Sequence, residues 1–130
     1  MGKKDVRAAF RTAVFQRDRY TCRVCGRKWS PEDADPALGR LNAHHITDRN
    51  ELPGGGYVAE NGITVCDGPD SCHMKCEQFH ITEGQQWAVG LHPDDLYRKV
   101  GSSKEKALRA SEGLTRSGTP LAGVHPRPAR

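Results

Sequence analysis

The residues best equipped for chemistry in this chain are five cysteines and six histidines, and their spacing sorts them. Cys22 and Cys25 are separated by two residues, and Cys66 and Cys72 by five. Two close pairs can supply four thiolates to a tetrahedral Zn²⁺, with the intervening segment closed into a loop by the metal. An odd number of cysteines argues against a disulfide framework. Cys76 lies four residues after Cys72, on the same face of a helix, and can stand in for Cys72 or Cys66. The set Cys22, Cys25, Cys66 and Cys72 is preferred because it forms two knuckle-like hairpins. Arg23, Asp67, Asp70 and Lys75 make the neighbourhood too polar for thiols that are merely small buried hydrophobes.

A second constellation is threaded through the first. His44 and His45, then Asn61, lie between the cysteine pairs, and His73 follows Cys72 directly. His73, Glu77 and His80 share one helix face. One of the adjacent imidazoles, together with His73, can hold a divalent cation, with Glu77 or His80 as a further ligand. The other imidazole then stays free as a base, because neutral histidine titrates near the working pH. Adjacent residues on a regular strand point to opposite faces. The strand must therefore end or bend at His44-His45, or the two rings must approach the site from different sides. Asn61, taken alone beside Gly62, reads as a turn former.

The elements that position these groups follow from periodicity and punctuation. Apolar steps over residues 5–19 predict a helix. Cys22 to Gly26 is a tight knuckle. Ser30-Pro31-Glu32-Asp33 opens a short helix or turn that ends before Pro36. Leu41 to Ile46 and Ile63 to Val65 read as short strands, joined through the flexible Pro53-Gly54-Gly55-Gly56 tip. Tyr57 and Val58 begin a return segment, and Asn61-Gly62 is a turn dipeptide. Ser71 caps a helix over about 72–80, and Pro93 opens another that ends near Gly101. Ser102 and Glu105 fit a capping box for a last helix carrying Ala107, Leu108 and Ala110. Residues 115–130, rich in Gly and Pro, are expected to be disordered. The chain divides into a core over 1–82, a helical extension over 83–114 and the tail.

A length of 130 residues suits one modest core and excludes an enzyme with a separate cofactor-binding domain. At 35% hydrophobic residues and a mean hydropathy of -0.73 the core is thin, which gives a metal staple a physical purpose. No apolar run reaches the roughly 18 residues of a membrane span. The charged N-terminus lacks the apolar stretch of a signal peptide, so a cytoplasmic location, the cytosol or nucleoid, is expected. Net charge is +4, unevenly spread. Residues 1–28 hold nine basic and two acidic side chains, +7, whereas residues 29–113 hold eight and fourteen, -6. Such a basic front end suits an acidic partner, nucleic acid first.

In order, Arg17-Asp18-x-Tyr20-x-Cys22-x2-Cys25-Gly26, Ala43-His44-His45-Ile46, Gly55-Gly56, Asn61-Gly62-Ile63-x-Val65-Cys66 and Cys72-His73 resemble the HNH endonucleases. These are ββα-metal, or His-Me finger, nucleases, and the likeness spans about residues 6–80. The helical extension makes the chain similar to small phage and prophage HNH proteins. The resemblance implies an α+β fold: a small zinc-stapled ββα-metal core with an N-terminal helix and a C-terminal helical extension. It implies that His45 is the general base, and that His44 and His73 hold the catalytic cation with Glu77 as a further ligand. Asn61 would brace the loop and help to orient His45. The four cysteines would hold a structural Zn²⁺. The catalytic ion would be Mg²⁺, Mn²⁺, Ni²⁺ or Zn²⁺. DNA would be the substrate, cut with low sequence specificity. Arg17, Arg19, Arg23 and Arg49 are the candidates for holding phosphate. One departure stands out: five residues separate Cys66 from Cys72, where two is usual, so the helix start can be displaced. The competing expectations are a zinc-knuckle module that binds nucleic acid without cutting, and a nuclease subunit active only with phage packaging proteins.

Overall fold

The computed structural model describes residues 2–69 and 71–114. It is a small α+β structure with four α-helices and one two-stranded antiparallel sheet among these residues. In chain order these are α1 (Lys3–Arg17), β1 (Leu41–His45), β2 (Gly62–Cys66), α2 (Cys72–Ile81), α3 (Pro93–Lys99) and α4 (Lys104–Glu112). Short 3-10 turns fill the connection between the strands. Among the described residues no helix is long and apolar enough to cross a membrane. The expectation of disorder over 115–130 falls outside the described residues.

Strand register explains how the site is laid out. His44 pairs with Ile63 and His45 with Gly62. Directly opposed residues share a face, and the faces alternate along each strand. Leu41 and Ala43 therefore pack with Phe10, Val14 and Phe15 of α1. Ile63 and Val65 pack on the opposite side with Leu91, Leu96, Tyr97 and Ala107. His44 and His45 go to opposite sides accordingly. The sequence allowed a strand that ends or bends here, or rings on different sides; β1 ends at His45, and its regular register up to that point puts the two rings on different sides.

The C-terminal helices complete the core. Leu96, Tyr97 and Ala107 are almost wholly buried in the cluster that holds Cys22, Cys72 and Cys76. Burying a leucine of this kind stabilises by about 1.5–3 kcal/mol, a sizeable fraction for a chain with so few large apolar groups.

At the other end of the sheet Asp18, 4% exposed, ties α1 to β2. It accepts bonds from Arg17 Nε and Nη2 at 2.9 and 2.8 Å, from Arg23 Nη1 at 3.0 Å and from the Thr64 N–H at 2.9 Å. Burial works against the charged carboxylate, but Arg17 and the Thr64 N–H outweigh it and lower the Asp18 pKa.

Three local expectations need correction. The turn read at Asn61-Gly62 lies one step earlier: Asn61 ends a 3-10 turn over Ala59–Asn61, and Gly62 is already extended at φ -121°. A Cβ on Gly62 would collide with Val14 and Phe10, so this glycine is required for α1 to lie against the sheet. Tyr57 and Val58 pair with no strand. The last helix is capped by Ser103, whose side chain accepts from Lys106 N at 3.1 Å, while Ser102 donates to Glu60 O at 2.8 Å. Ser102 thus anchors the helix start to the strand connection instead of capping it.

Candidate active site and metal centres

The knuckle, the end of β2 and the start of α2 converge on the first centre. The sulfurs of Cys22, Cys25, Cys66 and Cys72 all lie within 4.8 Å of one another. The N–H groups of Cys25 and Cys72 point at the sulfurs of Cys22 and Cys66, at 3.4 and 3.5 Å. For Cys22, burial raises the pKa, yet backbone N–H groups around it bring the thiol down to about 7. Burial and the neighbouring sulfurs push the Cys72 thiol upward. Four thiols packed this closely resist joint ionisation without a cation to share. This donor set can therefore hold a metal such as zinc, as the spacing predicts. Cys76 is not part of the set; it is buried in the apolar cluster, and burial raises its pKa to about 12. The five-residue gap does not displace α2, which begins at Cys72 with Ser71 as its cap, accepting from Met74 N at 3.2 Å.

One residue further on, α2 turns its other ligands toward the sheet. His44, His73 and Glu77 each present a ligand atom within 4.8 Å of the others. His44 Nδ1 lies 3.0 Å and His73 Nε2 3.4 Å from the same oxygen, Glu77 Oε2. His44 is 1% exposed; its Nε2 has no hydrogen-bond partner among the described residues, and its Nδ1 faces only Glu77 Oε2, without hydrogen-bond geometry. Buried imidazole nitrogens without partners are costly, and a shared cation would satisfy the one that faces Glu77. Two imidazoles and a carboxylate suit a divalent transition metal or Mn²⁺ and leave coordination positions open. The two imidazoles hold the Glu77 carboxyl well below the usual carboxylate range. Burial lowers the pKa of His44. For His73 burial acts in the same direction, but Glu77 and Asp67 outweigh it and raise the pKa. His80 stays outside the cluster: its ring stacks on His44 at 5.3 Å, and its Nε2 lies 2.9 Å from the carbonyl oxygen of His45.

His45 occupies the α1 side. Its ring stacks on Phe10 at 4.7 Å and meets Tyr57 edge-on at 4.8 Å. Burial and the adjacent His44 push its pKa down to about 4, so the imidazole is neutral near pH 7. It lines a cleft of about 600 Å³ together with His73, Glu77, Arg7, Arg11, Arg49 and Tyr57. The base candidate, two of the cation ligands and three guanidinium groups thus face one space.

Asn61 is wholly buried and saturated with hydrogen bonds. Its Oδ1 accepts from Thr47 N at 2.9 Å and from the Tyr97 hydroxyl at 2.7 Å. Its Nδ2 donates to Thr47 O at 3.0 Å and to Gly56 O at 3.3 Å. The Ile46 N–H donates to Asn61 O at 2.9 Å. Both ends of the strand connection are therefore pinned by Asn61, immediately after His45, and Tyr97 of α3 secures Asn61 itself.

The arginines are distributed differently from the expectation. Arg17 is engaged inside the fold, donating to Asp18, Ala59 O and Gly62 O. Arg23 bridges Asp18 and Lys99 O. Neither lines the cleft, nor does the exposed Arg19; of the four nominated arginines only Arg49 does. Arg7 and Arg11 were missed. Their signal was available: i,i+4 spacing on α1, flanking Phe10 within the basic segment. Phe10, Tyr57 and Asp67 were also missed, and no spacing rule marks them. Comparison of the chain with protein-family models, curated proteins and solved structures found no match.

Proposed function

We propose that this protein is a metal-dependent endonuclease of the HNH, or ββα-metal, type that hydrolyses DNA phosphodiester bonds with low sequence specificity. The observation that carries the reading is the cleft in which neutral His45 faces the space shared by His73, Glu77 and three arginines. Residues of α1, β1 and α2 line that cleft, and the chain order β1, β2, α2 with a four-thiol cluster at the start of α2 supports the same reading.

Phosphodiester hydrolysis requires a water stripped of a proton, a phosphate held in line, and a leaving oxygen whose charge is relieved. Neutral His45 accepts the proton, and its ring is kept in place by Phe10 and Tyr57. Arg7, Arg11 and Arg49 hold phosphates along the rim of the cleft. His44, His73 and Glu77 would hold a divalent cation, which when bound relieves charge on the phosphate and the departing oxygen. Asn61 fixes the backbone that follows His45, so the base does not swing with the glycine-rich loop. A base beside a cation cluster favours cutting over a purely binding zinc module, for which a free imidazole there has no use.

Conversion of supercoiled plasmid to the nicked form tests the proposal, using zinc-loaded protein with Mg²⁺, Mn²⁺, Ni²⁺ or EDTA. Nicking that depends on the cation and disappears in folded His45→Ala is expected. Equal nicking by both proteins, or DNA binding without cutting under every cation, would overturn it.

A further inference from the structure

Asp67, directly after Cys66, brings a carboxylate to the back of His73. Asp67 Oδ1 lies 3.1 Å from His73 Nδ1, the ring nitrogen that faces away from the Glu77 contact. Asp67 is itself anchored twice: its N–H donates to Arg40 O at 2.9 Å, and its Oδ1 accepts from Gly68 N at 2.9 Å. Gly68 sits at φ +115°, a conformation that side-chain-bearing residues rarely adopt, and this lets the chain fold back on the carboxylate.

We propose that Asp67 is a positioning residue for the cation centre: it holds the proton of His73 on Nδ1 and so aims the Nε2 lone pair at the position shared with His44 and Glu77. A carboxylate accepts only, so the His73 nitrogen facing it must be the one that bears hydrogen. With a cation between His73 Nε2 and Glu77 Oε2, which lie 3.4 Å apart, the opposite nitrogen is the acceptor, which is the form a metal needs. Buttressing of this kind orients the ring and raises its basicity, and its loss costs about 10–100-fold in metal affinity. The inference rests on the reading of His44, His73 and Glu77 as a cation site.

Mn²⁺ is the suitable probe for the zinc-loaded full chain. It prefers oxygen and nitrogen ligands and stands lowest in affinity among the divalent first-row metals, so it does not displace zinc from four thiolates. Titration followed by the electron paramagnetic resonance signal of free Mn²⁺ should show wild type binding most tightly. Asp67→Ala should bind about 10–100-fold more weakly. Asp67→Asn, which retains an acceptor oxygen, should fall between them. Long-range ¹H–¹⁵N spectra should show the His73 proton on Nδ1 in wild type and distributed over both nitrogens in Asp67→Ala. Unchanged affinity and tautomer in a folded Asp67→Ala would overturn the proposal. So would loss of the fold in both variants, which would make Asp67 a structural residue, or an absence of Mn²⁺ binding by wild type. Binding with the expected ranking but no nicking would leave the positioning role standing and overturn the nuclease reading alone.

Discussion

The two candidate metal centres meet at consecutive residues, Cys72 and His73, and yet they are built on opposite principles. The thiol centre draws its ligands from three separate segments, and backbone N–H groups are already aimed at two of its sulfurs. Its neighbours Ile63, Val65 and Leu96 belong to the main apolar cluster. The imidazole–carboxylate centre takes two ligands from one turn of α2 and one from β1, and borders the arginine-lined cleft. A closed set of four soft ligands suits a structural ion, and an open set of three suits chemistry. The dependence runs one way. Cys72 opens α2, so a metal held by the thiols would fix the start of the helix that carries His73 and Glu77.

Removing one centre and then the other should expose this asymmetry most strongly. A structural zinc site contributes on the order of 10 kcal/mol, comparable with the whole net stability of a small domain. Cys72→Ser or prolonged chelation should therefore abolish the cooperative thermal transition seen by circular dichroism. His73→Ala should keep that transition while losing Mn²⁺ binding. A Cys72→Ser protein that melts like wild type would break the comparison. Next in size is His45→Ala, which should lower the nicking rate by about 10²–10⁴-fold, the range for loss of a general base. Its Mn²⁺ affinity should stay within a few-fold of wild type, because His45 is not a member of the ligand cluster.

A smaller effect belongs to the buried junction behind the sheet. Asp18→Ala leaves Arg17, Arg23 and the Thr64 N–H without their shared acceptor, and breaking such a buried pair costs about 3 kcal/mol or more. The pKa of Asp18 is lowered in the folded state, so its contribution is complete above the ordinary carboxylate value of about pH 4. It is lost only as the pH falls further, through the depressed value. The difference in urea midpoint between wild type and Asp18→Asn should therefore be constant near neutrality and should close below about pH 4. A difference that grew on acidification would contradict the assignment of Asp18 as an ionised partner.

Much of the candidate site was legible because its residues are constrained by spacing along the chain. The cysteine pairs, and His73 with Glu77 on one helix turn, are short-range patterns, and the structure brings both sets together. The division of His44 and His45 between two faces follows from strand geometry alone. Other features depend on which segments meet, and spacing carries no such information. Asp67 reaches His73 only because the loop doubles back at Gly68. Tyr97 reaches Asn61 only because α3 joins the core. Arg17 and Arg23 read as phosphate-binding candidates because nothing in the spacing shows that Asp18, which binds both, is buried. The misplacement of the last cap by one residue came from two adjacent serines, each with a plausible partner and only one aimed at the helix.

That redistribution of arginines gives the finest test of which face would meet DNA under the proposed function. Each phosphate contact releases counterions, so log K against log salt loses about one unit of slope when one contacting residue is removed. Arg7 and Arg11 line the cleft one helical turn apart, and Arg7 with Arg49 lowers the Tyr57 pKa against the opposing effect of burial. Arg7→Ala and Arg11→Ala should each reduce the slope by about one without altering the melting temperature. Arg23→Ala should do the reverse, since its guanidinium serves Asp18 and Lys99 O inside the fold. Fluorescence anisotropy of a labelled duplex across a salt series separates the two, because a stability defect lowers the active fraction equally at every salt concentration. If Arg23→Ala reduced the slope and Arg7→Ala did not, DNA would lie along the thiol knuckle. The two centres would then exchange roles as the surface that substrate meets, and the cleft beside His45 would have no phosphate to cut.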